Sequence, residues 1–206
     1  MTTRGKFITI EGIDGAGKSS HLSHIAGSVR AAGHRAVETR EPGGTPLGEA
    51  LRKLVLHEPM HVRTEATLMF AARSEHLVRV IEPALTAGEW VACDRFTDST
   101  FAYQCGGRGL ARDVFTALAQ ALRPACEPDA TFLFDIDPEL AERRQQARSA
   151  TPDRFEREQV DFFRRVRAAY LERAREAPGR IRVIDASGSF EQVRALLDAA
   201  LEPVLR

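Results

Sequence analysis

A glycine-rich segment with one lysine and one serine lies close to the start of this 206-residue chain. Residues 12–19 read G-I-D-G-A-G-K-S, which fits the spacing G-x-x-x-x-G-K-S of a phosphate-binding loop. Glycines let backbone N–H groups close around a phosphate, and a lysine at this place can reach its outer oxygens. A serine hydroxyl beside them suits Mg²⁺. The segment therefore predicts a site for the phosphates of a nucleotide and for a magnesium ion.

The segments on either side of this loop are those that the motif needs. Residues 7–10, F-I-T-I, form a short apolar run typical of a strand, and Leu22, Ile25 and Val29 follow the loop at helical spacing. A chance match to the motif is expected in roughly one percent of chains of this length, but chance does not supply both flanking patterns. We assign the phosphates to Gly12, Ile13, Asp14, Gly15, Ala16, Gly17, Lys18, Ser19 and Ser20, and the metal to Ser19 and Asp94.

The composition indicates one globular domain over residues 1–206, since 43% of the residues are hydrophobic. The 29 basic residues balance the 29 acidic ones, which gives no indication of nucleic-acid binding or of a membrane-surface protein. Cys93, Cys105 and Cys126 have no paired or metal-ligand spacing, which fits a reducing compartment. No apolar run resembles a signal segment or reaches membrane-spanning length, so we expect a cytoplasmic protein.

Apolar runs alternate with stretches of helical periodicity along the whole chain. Strands are expected at residues 7–10, 35–39, 89–94, 131–134 and 181–184. Helices are expected from 18 to about 33, from 46 to 55, from 64 towards 88, around 98–104 and 114–122, from 138, and around 193–201. This alternation predicts an α/β fold in which a five-stranded parallel sheet is covered by helices on both faces. Asp94 then falls at the carboxyl end of a strand, where such sheets bind ligands.

Several short motifs follow one another in the chain. They are E-G-I-D-G-A-G-K-S at residues 11–19, R-E-P-G-G-T at 40–45, F-A-A-R at 70–73, D-R-F at 94–96, A-Y-Q at 102–104, G-G-R-G at 106–109 and D-R-F-E at 153–156. In this order and spacing they make nearly the whole chain resemble the thymidylate kinases of the nucleoside-monophosphate kinase group. The resemblance implies a three-layer P-loop nucleotide-kinase fold with a short lid, a homodimer, and phosphorylation of dTMP to dTDP by ATP with Mg²⁺.

The resemblance assigns Phe70 and Arg73 to the base of the acceptor nucleotide. They lie three residues apart on one predicted helix and therefore share a face. In the family the aromatic ring stacks on thymine and the arginine donates to its O4. Cytosine presents an amino donor at that place, so an arginine there would reject it. The alternative is that Phe70 is a core residue and Arg73 is solvated.

Three charged residues are assigned to the sugar and the phosphate of the acceptor. In the family, the arginine at the position of Arg95 binds the acceptor phosphate, for which its planar fork is suited. Arg40 is a second candidate near the same place. Asp14 would repel a phosphate, so the resemblance directs it to the 3′-hydroxyl group of the deoxyribose. The alternatives are a surface ion pair of Asp94 with Arg95 and an ordinary turn residue at Asp14.

Tyr103, Gln104 and Ser99 match family positions over the sugar and the base. The resemblance implies that the tyrosine ring crowds C2′ and disfavours ribose, that the glutamine lies near the base, and that the serine can reach the base edge. Ordinary core packing is the alternative for Tyr103.

A lid over residues 143–157 is assigned the arginine that stabilises the transferred phosphoryl group. In the family this arginine comes either from the phosphate-binding loop or from the lid, and here the loop carries no arginine. Arg144 and Arg148 lie four apart, so they would share a helical face, and Arg154 belongs to the D-R-F-E motif. S-A-T-P at 149–152 departs from the lid spacing of the family, which leaves the choice among these arginines open, and of the three we favour Arg148. A solvated basic face is the alternative. Residues 186–188 resemble a loop along the adenine edge.

Two other functions remain open from the sequence. The first is another phosphoryl-transfer kinase, acting on a deoxynucleoside or on a different monophosphate. The second is a nucleotide-regulated binding protein that hydrolyses ATP or GTP slowly. A GTP-dependent switch would need an Asn-Lys-x-Asp stretch, which this sequence does not contain.

Overall fold

The computed structural model describes residues 3–122, 127–146, 153–155 and 158–206. Within them, five parallel strands form one sheet in the order β2-β3-β1-β4-β5. This confirms the predicted parallel sheet, and each strand lies within about one residue of its expected bounds. The strands are β1 (Phe7–Glu11), β2 (Ala36–Arg40), β3 (Trp90–Asp94), β4 (Ala130–Asp135) and β5 (Ile181–Asp185).

Helices surround the sheet because both of its faces are apolar. Ile8, Ile10 and Ala92 belong to one buried cluster, whereas Phe7 and Val91 belong to a second. Successive residues of a strand point to opposite faces, so each face needs its own cover. The helices are α1 (Lys18–Ala31), α2 (Pro46–His57), α3 (Val62–His76), α4 (Glu82–Thr86), α5 (Thr97–Thr100), α6 (Arg112–Ala121), α7 (Pro138–Gln146), α8 (Val160–Glu176) and α9 (Phe190–Leu205).

Two predicted helices contain π-helical turns. The long helix expected from residue 64 consists of α3, a π-helical segment at Leu77–Ile81, and α4. The helix expected around 98–104 consists of α5 and a π-helical segment at Phe101–Gly107. Such widened turns occur frequently at functional sites, and the second one carries Tyr103 and Gln104.

Helix α8 was absent from the sequence prediction. Six of its residues are buried and share one face of the helix, namely Phe162, Phe163, Val166, Ala169, Tyr170 and Ala174. Several arginines interrupt this pattern and give the segment a polar composition. No helix in the described part of the chain is long and apolar enough to cross a membrane.

The register of the sheet brings three strand ends together. Asp94 pairs with Ile10 of β1 and with Arg40 of β2, so the carboxyl ends of β1, β2 and β3 meet at one edge. The loops that follow these strands carry residues 12–17, 41–45 and 95–96. In parallel sheets ligands bind at this edge.

Candidate active site

The loop between β1 and α1 has the conformation that phosphate binding requires. Gly12, Gly15 and Gly17 have φ angles of 138°, 84° and 87°, a region that side chains rarely adopt. A Cβ atom at Gly12 would lie 2.5 Å from the carbonyl oxygen of Phe134, and one at Gly15 would collide with the backbone of α7. The side chains of Ile13 and Ala16 are buried in the core. Backbone groups are thereby left to line the loop.

Lys18 lies across this loop with only 5% of its surface exposed. Its Nζ donates to the carbonyl oxygen of Ile13 at 2.9 Å and lies 3.9 Å from Oδ1 of Asp14. Burial and the nearby charge of Arg95 lower the pKa of Lys18 from its ordinary value. The amine is therefore held inside the loop, where it would contact an outer phosphate of a bound nucleotide.

Ser19 and Asp94 lie together at the carboxyl edge of the sheet, as the metal assignment requires. The Ser19 Oγ donates to Oδ2 of Asp94 at 3.3 Å. The other carboxylate oxygen, Oδ1, is buried and has no hydrogen-bond partner among the described residues. Mg²⁺ prefers oxygen ligands and usually retains water and phosphate ligands beside one or two from protein. The two side chains therefore fit Mg²⁺, while Ser20 is exposed on the first turn of α1.

Arg95 stands at the centre of the site. It is the only residue other than glycine with a positive φ angle in the described part of the chain, at 70°. Its pKa lies well above the ordinary value, because the attraction of Asp14 and other neighbours outweighs the effect of burial. Its Nη1 donates to the Gly12 carbonyl (3.0 Å), the Ser99 hydroxyl (3.2 Å) and the Tyr170 hydroxyl (3.2 Å), and its Nη2 to Oδ1 of Asp14 (2.5 Å) and the Tyr103 hydroxyl (3.1 Å).

Asp14 pairs with Arg95 rather than standing free in the loop. Its Oδ2 also accepts a hydrogen bond of 2.9 Å from the hydroxyl of Tyr103. Burial alone would raise the pKa of Asp14, but the charges of Arg95 and Lys18 lower it to about 2. The carboxylate is consequently ionised at neutral pH and available as a hydrogen-bond acceptor for a ligand hydroxyl. The observed ion pair is that of Asp14 with Arg95, whereas the alternative considered from the sequence was a surface pair of Asp94 with Arg95.

Glu11 is a buried carboxylate beneath Arg95 that sequence reasoning did not assign to the site. Its Oε2 accepts from the hydroxyls of Ser99 at 2.5 Å and Tyr170 at 3.0 Å, and its Oε1 from the N–H of Phe96 at 2.7 Å. Burial and the charge of Asp98 raise the pKa of Glu11 to about 7. The Ser99 hydroxyl therefore links Arg95 to Glu11, and Ser99 also lines the acceptor cavity.

Phe70 and Arg73 occupy one face of α3, as the three-residue spacing predicts. Both side chains are buried, so Arg73 is not solvated, and Phe70 belongs to the hydrophobic core, as the alternative expected for it. The guanidinium carbon lies 4.8 Å from the centre of the Phe70 ring. Nε donates to Glu41 at 2.7 Å and Nη2 to Thr100 at 2.9 Å, whereas Nη1 is buried without a partner in the described residues.

Phe70 and Arg73 line a cavity of about 660 Å³, whereas Arg95 lines a different, small cavity. Its volume is about 70 Å³, and it opens beside a cleft of about 590 Å³ that runs to Lys18 and Ser19. Gln104 is fully buried here, with Nε2 donating to Glu65 at 2.7 Å and Oε1 without a described partner. Arg40 borders the cleft and pairs with Glu49 at 3.0 Å. The cavity is lined by Asp14, Pro42, Arg52, Val55, Leu56, Met69, Arg95, Ser99, Tyr103, Gln104, Asp153 and Phe155.

The candidate lid arginines are held in different places. Arg144 on α7 donates to the carbonyl oxygens of residues 186–188 at 2.7, 2.8 and 2.9 Å, so it supports the loop expected near adenine. Arg154 donates to Oε2 of Glu65 at 2.5 Å and to the carbonyl of Val55. Arg148 lies outside the described residues.

A parallel sheet with a G-x-x-x-x-G-K-S loop between its central strand and helix α1 defines a P-loop nucleotide-binding protein. The chain also matches the family model described as Thymidylate kinase over residues 10–197. It therefore belongs to the thymidylate kinase family.

Relatives and a solved structure agree with this family. The thymidylate kinase of Bordetella petrii is 58% identical over 202 residues, which cover 98% of this chain and 97% of that protein. That of Cupriavidus metallidurans is 57% identical over 195 residues, covering 95% and 96%. The crystal structure of thymidylate kinase from Ehrlichia chaffeensis, 31% identical, superposes with a TM-score of 0.79 over 97% of this chain and 99% of that one.

Proposed function

We propose that this chain transfers the γ-phosphoryl group of MgATP to the 5′-phosphate of dTMP, giving dTDP and ADP. Family membership defines the reaction class. The observation that supports the reaction most directly is the position of Arg95. It contacts the phosphate-binding loop at Gly12 and Asp14 and lines the acceptor cavity together with Tyr103. One guanidinium therefore borders both places where the two phosphates must meet.

The donor nucleotide belongs on the loop at residues 12–19. Backbone N–H groups and the positive end of α1 attract its phosphates, and Lys18 supplies a point charge. Mg²⁺ would supply positive charge there against the charge that develops on the phosphates. Ser19 and Asp94 would hold the ion, and the free Oδ1 of Asp94 supports this assignment.

The acceptor nucleotide belongs in the cavity beyond Arg95. Its phosphate faces Arg95, its 3′-hydroxyl group donates to Asp14, and its sugar packs on Tyr103. Phe70 and Gln104 face the base, and Nη1 of Arg73 is the donor for its 4-oxygen. Transfer then proceeds in line with no covalent intermediate, so the protein contributes positioning and charge stabilisation.

The proposal includes closure of a lid over residues 143–157, because water in an open site would hydrolyse ATP without transfer to the acceptor. We retain Arg148 as the arginine that reaches the transferred group. Arg144 and Arg154 have the partners described above and act as supports for the adenine loop and for α3. The homodimer that the resemblance implies and the cytoplasmic location expected from the sequence are also part of the proposal.

An assay of ADP release with MgATP and a panel of acceptors tests the function. The panel contains dTMP, dUMP, dCMP, dGMP, AMP and UMP, with thymidine as a control. Strong preference for dTMP supports the proposal. Preference for thymidine indicates a deoxynucleoside kinase, equal use of dCMP indicates a less selective monophosphate kinase, and acceptor-independent hydrolysis indicates a nucleotide-regulated binding protein.

A further inference from the structure

Arg73 is held by contacts that leave one of its nitrogens free. Its Nε donates to Oε2 of Glu41 at 2.7 Å and its Nη2 to Thr100 at 2.9 Å. The guanidinium carbon lies 4.8 Å and 5.0 Å from the ring centres of Phe70 and Phe96. Nη1 is buried and has no partner among the described residues. Since buried N–H groups nearly always have acceptors, this nitrogen is available for a ligand atom.

Nη1 of Arg73 lacks a partner in the described part of the chain because the two carboxylate oxygens of Glu41 contact different residues. Only Oε2 faces Arg73, because Oε1 lies 3.0 Å from Nδ1 of His76. A carboxylate with both oxygens free prefers the two-point pair with a guanidinium, in which two parallel N–H groups are used. Occupation of Oε1 by His76 therefore holds Arg73 in a one-point pair and keeps its other nitrogens for other acceptors.

His76 is in turn fixed by Thr39. Its Nε2 lies 2.7 Å from the hydroxyl oxygen of Thr39, and its side chain is fully buried. The tautomer with its proton on Nδ1 satisfies both contacts, because it donates to Glu41 and accepts from Thr39. Gly44 leaves room for this contact, since a Cβ atom there would lie 2.5 Å from Nε2 of His76. Strand β2, the loop after it and the end of α3 are thus linked by one chain of hydrogen bonds, which is buried at His76 and Glu41 and half-buried at Thr39.

We propose that Thr39, His76 and Glu41 form a positioning relay that aims Nη1 of Arg73 at the 4-oxygen of the acceptor base. The relay would make the site discriminate 4-oxo pyrimidines from 4-amino pyrimidines. It rests on the proposed function, in which Arg73 faces the base. Thr39 and Glu41 line the cleft beside Lys18 and Ser19, but the relay acts through Arg73, so its three members are positioning residues rather than catalytic ones.

Thr39→Val tests the relay with the least disturbance, because valine keeps the shape and removes the hydroxyl. Thr39→Ser is the matched control that keeps it. We expect the KM for dTMP to rise about three- to tenfold in the valine variant, as for loss of one neutral hydrogen bond, with little change in the serine variant. The kcat and the KM for ATP stay unchanged. His76→Phe removes both ring nitrogens at similar volume and should raise the KM for dTMP at least as much.

The pattern across acceptors separates positioning from a structural role. The preference for dTMP over dCMP should fall in the valine variant, whereas the preference for dTMP over dUMP should not change, since thymine and uracil share the 4-oxygen. Equal losses for all acceptors and for ATP, or an unchanged KM for dTMP in both Thr39→Val and His76→Phe, would overturn the relay. Failure of the proposed function is distinct, because the unmodified protein would then show no dTMP-dependent ADP release.

Discussion

Oδ1 of Asp14 lies 2.5 Å from Nη2 of Arg95, which joins the phosphate-binding loop to the end of β3. A carboxylate inside such a loop would repel phosphate if it stood alone. Arg95 and Lys18 compensate its charge and lower its pKa to about 2. The loop can therefore carry a carboxylate that stays ionised and faces the acceptor cavity.

Asp14→Asn is expected to weaken use of dTMP more than use of ATP. The amide keeps the shape but removes the charge, and a hydrogen bond to a charged group contributes about 1.5–3 kcal/mol. The kcat/KM for dTMP should fall roughly tenfold to a hundredfold. Glu202→Gln, an exposed residue that pairs with Arg206 in α9, is the control with the same charge change. A fall in both variants, or an unchanged value in Asp14→Asn, would contradict the assignment.

Glu11 should make the stability of the protein depend on pH near neutrality. Its pKa is raised from 4.5 to about 7 in the folded state, so the folded protein binds this proton more tightly. The stability contributed by the proton is fully present below pH 4.5 and is lost as the pH rises through 7. Glu11→Gln does not titrate. The free energy of unfolding of the wild type minus that of Glu11→Gln should therefore fall between these pH values and stay constant above them. If the free energies of the two proteins change in parallel with pH, Glu11 does not titrate as described.

Two glycines in neighbouring segments should respond in opposite directions to alanine. Gly15 has a φ angle of 84°, and a Cβ atom there would collide with Ala141. Gly15→Ala should cost on the order of 1–3 kcal/mol and raise the KM for ATP. Gly27 lies within α1, and a Cβ atom there meets nothing within 4 Å. Gly27→Ala should stabilise the protein by about 0.5–1 kcal/mol. Denaturant unfolding measures both changes, and similar effects of the two substitutions would show that the loop is not constrained as described.

Asp94→Asn should increase the Mg²⁺ concentration needed for activity. The carboxylate lies beside Ser19 with one oxygen free, and an amide is a weaker ligand for a hard cation. Titration of the rate with Mg²⁺ at fixed ATP measures the effect. Asp185→Asn is a matched control, since this aspartate also ends a strand of the same sheet, at β5. A titration curve unchanged by Asp94→Asn would remove this residue from the metal site.

The sequence was most informative where the signal is local. The glycine spacing at residues 12–19 and the apolar strands are readable because neighbouring residues determine those conformations. Helix α8 was missed because Arg164, Arg165 and Arg167 conceal the periodicity of its buried face. Those arginines lie on the other faces of the helix.

The contacts of the buried carboxylates could not be predicted, because their partners lie far away in the sequence. Tyr170 reaches Glu11 across 159 positions of the chain, and His76 reaches Glu41 across 35. A buried carboxylate is stable only with such partners, and no periodic pattern reveals them. The family motifs include Glu11 and Glu41 but do not say what either side chain contacts.

Direct identification of the product tests the central claim best. The protein is mixed with MgATP and dTMP, and the nucleotides are separated and identified by mass, with Lys18→Ala and a sample without acceptor as references. We predict stoichiometric dTDP and ADP with the unmodified protein, and a rate at least about a hundredfold lower with Lys18→Ala, whose fold persists by circular dichroism. Formation of ADP at the same rate without dTMP, or binding of both nucleotides without dTDP, would contradict the account.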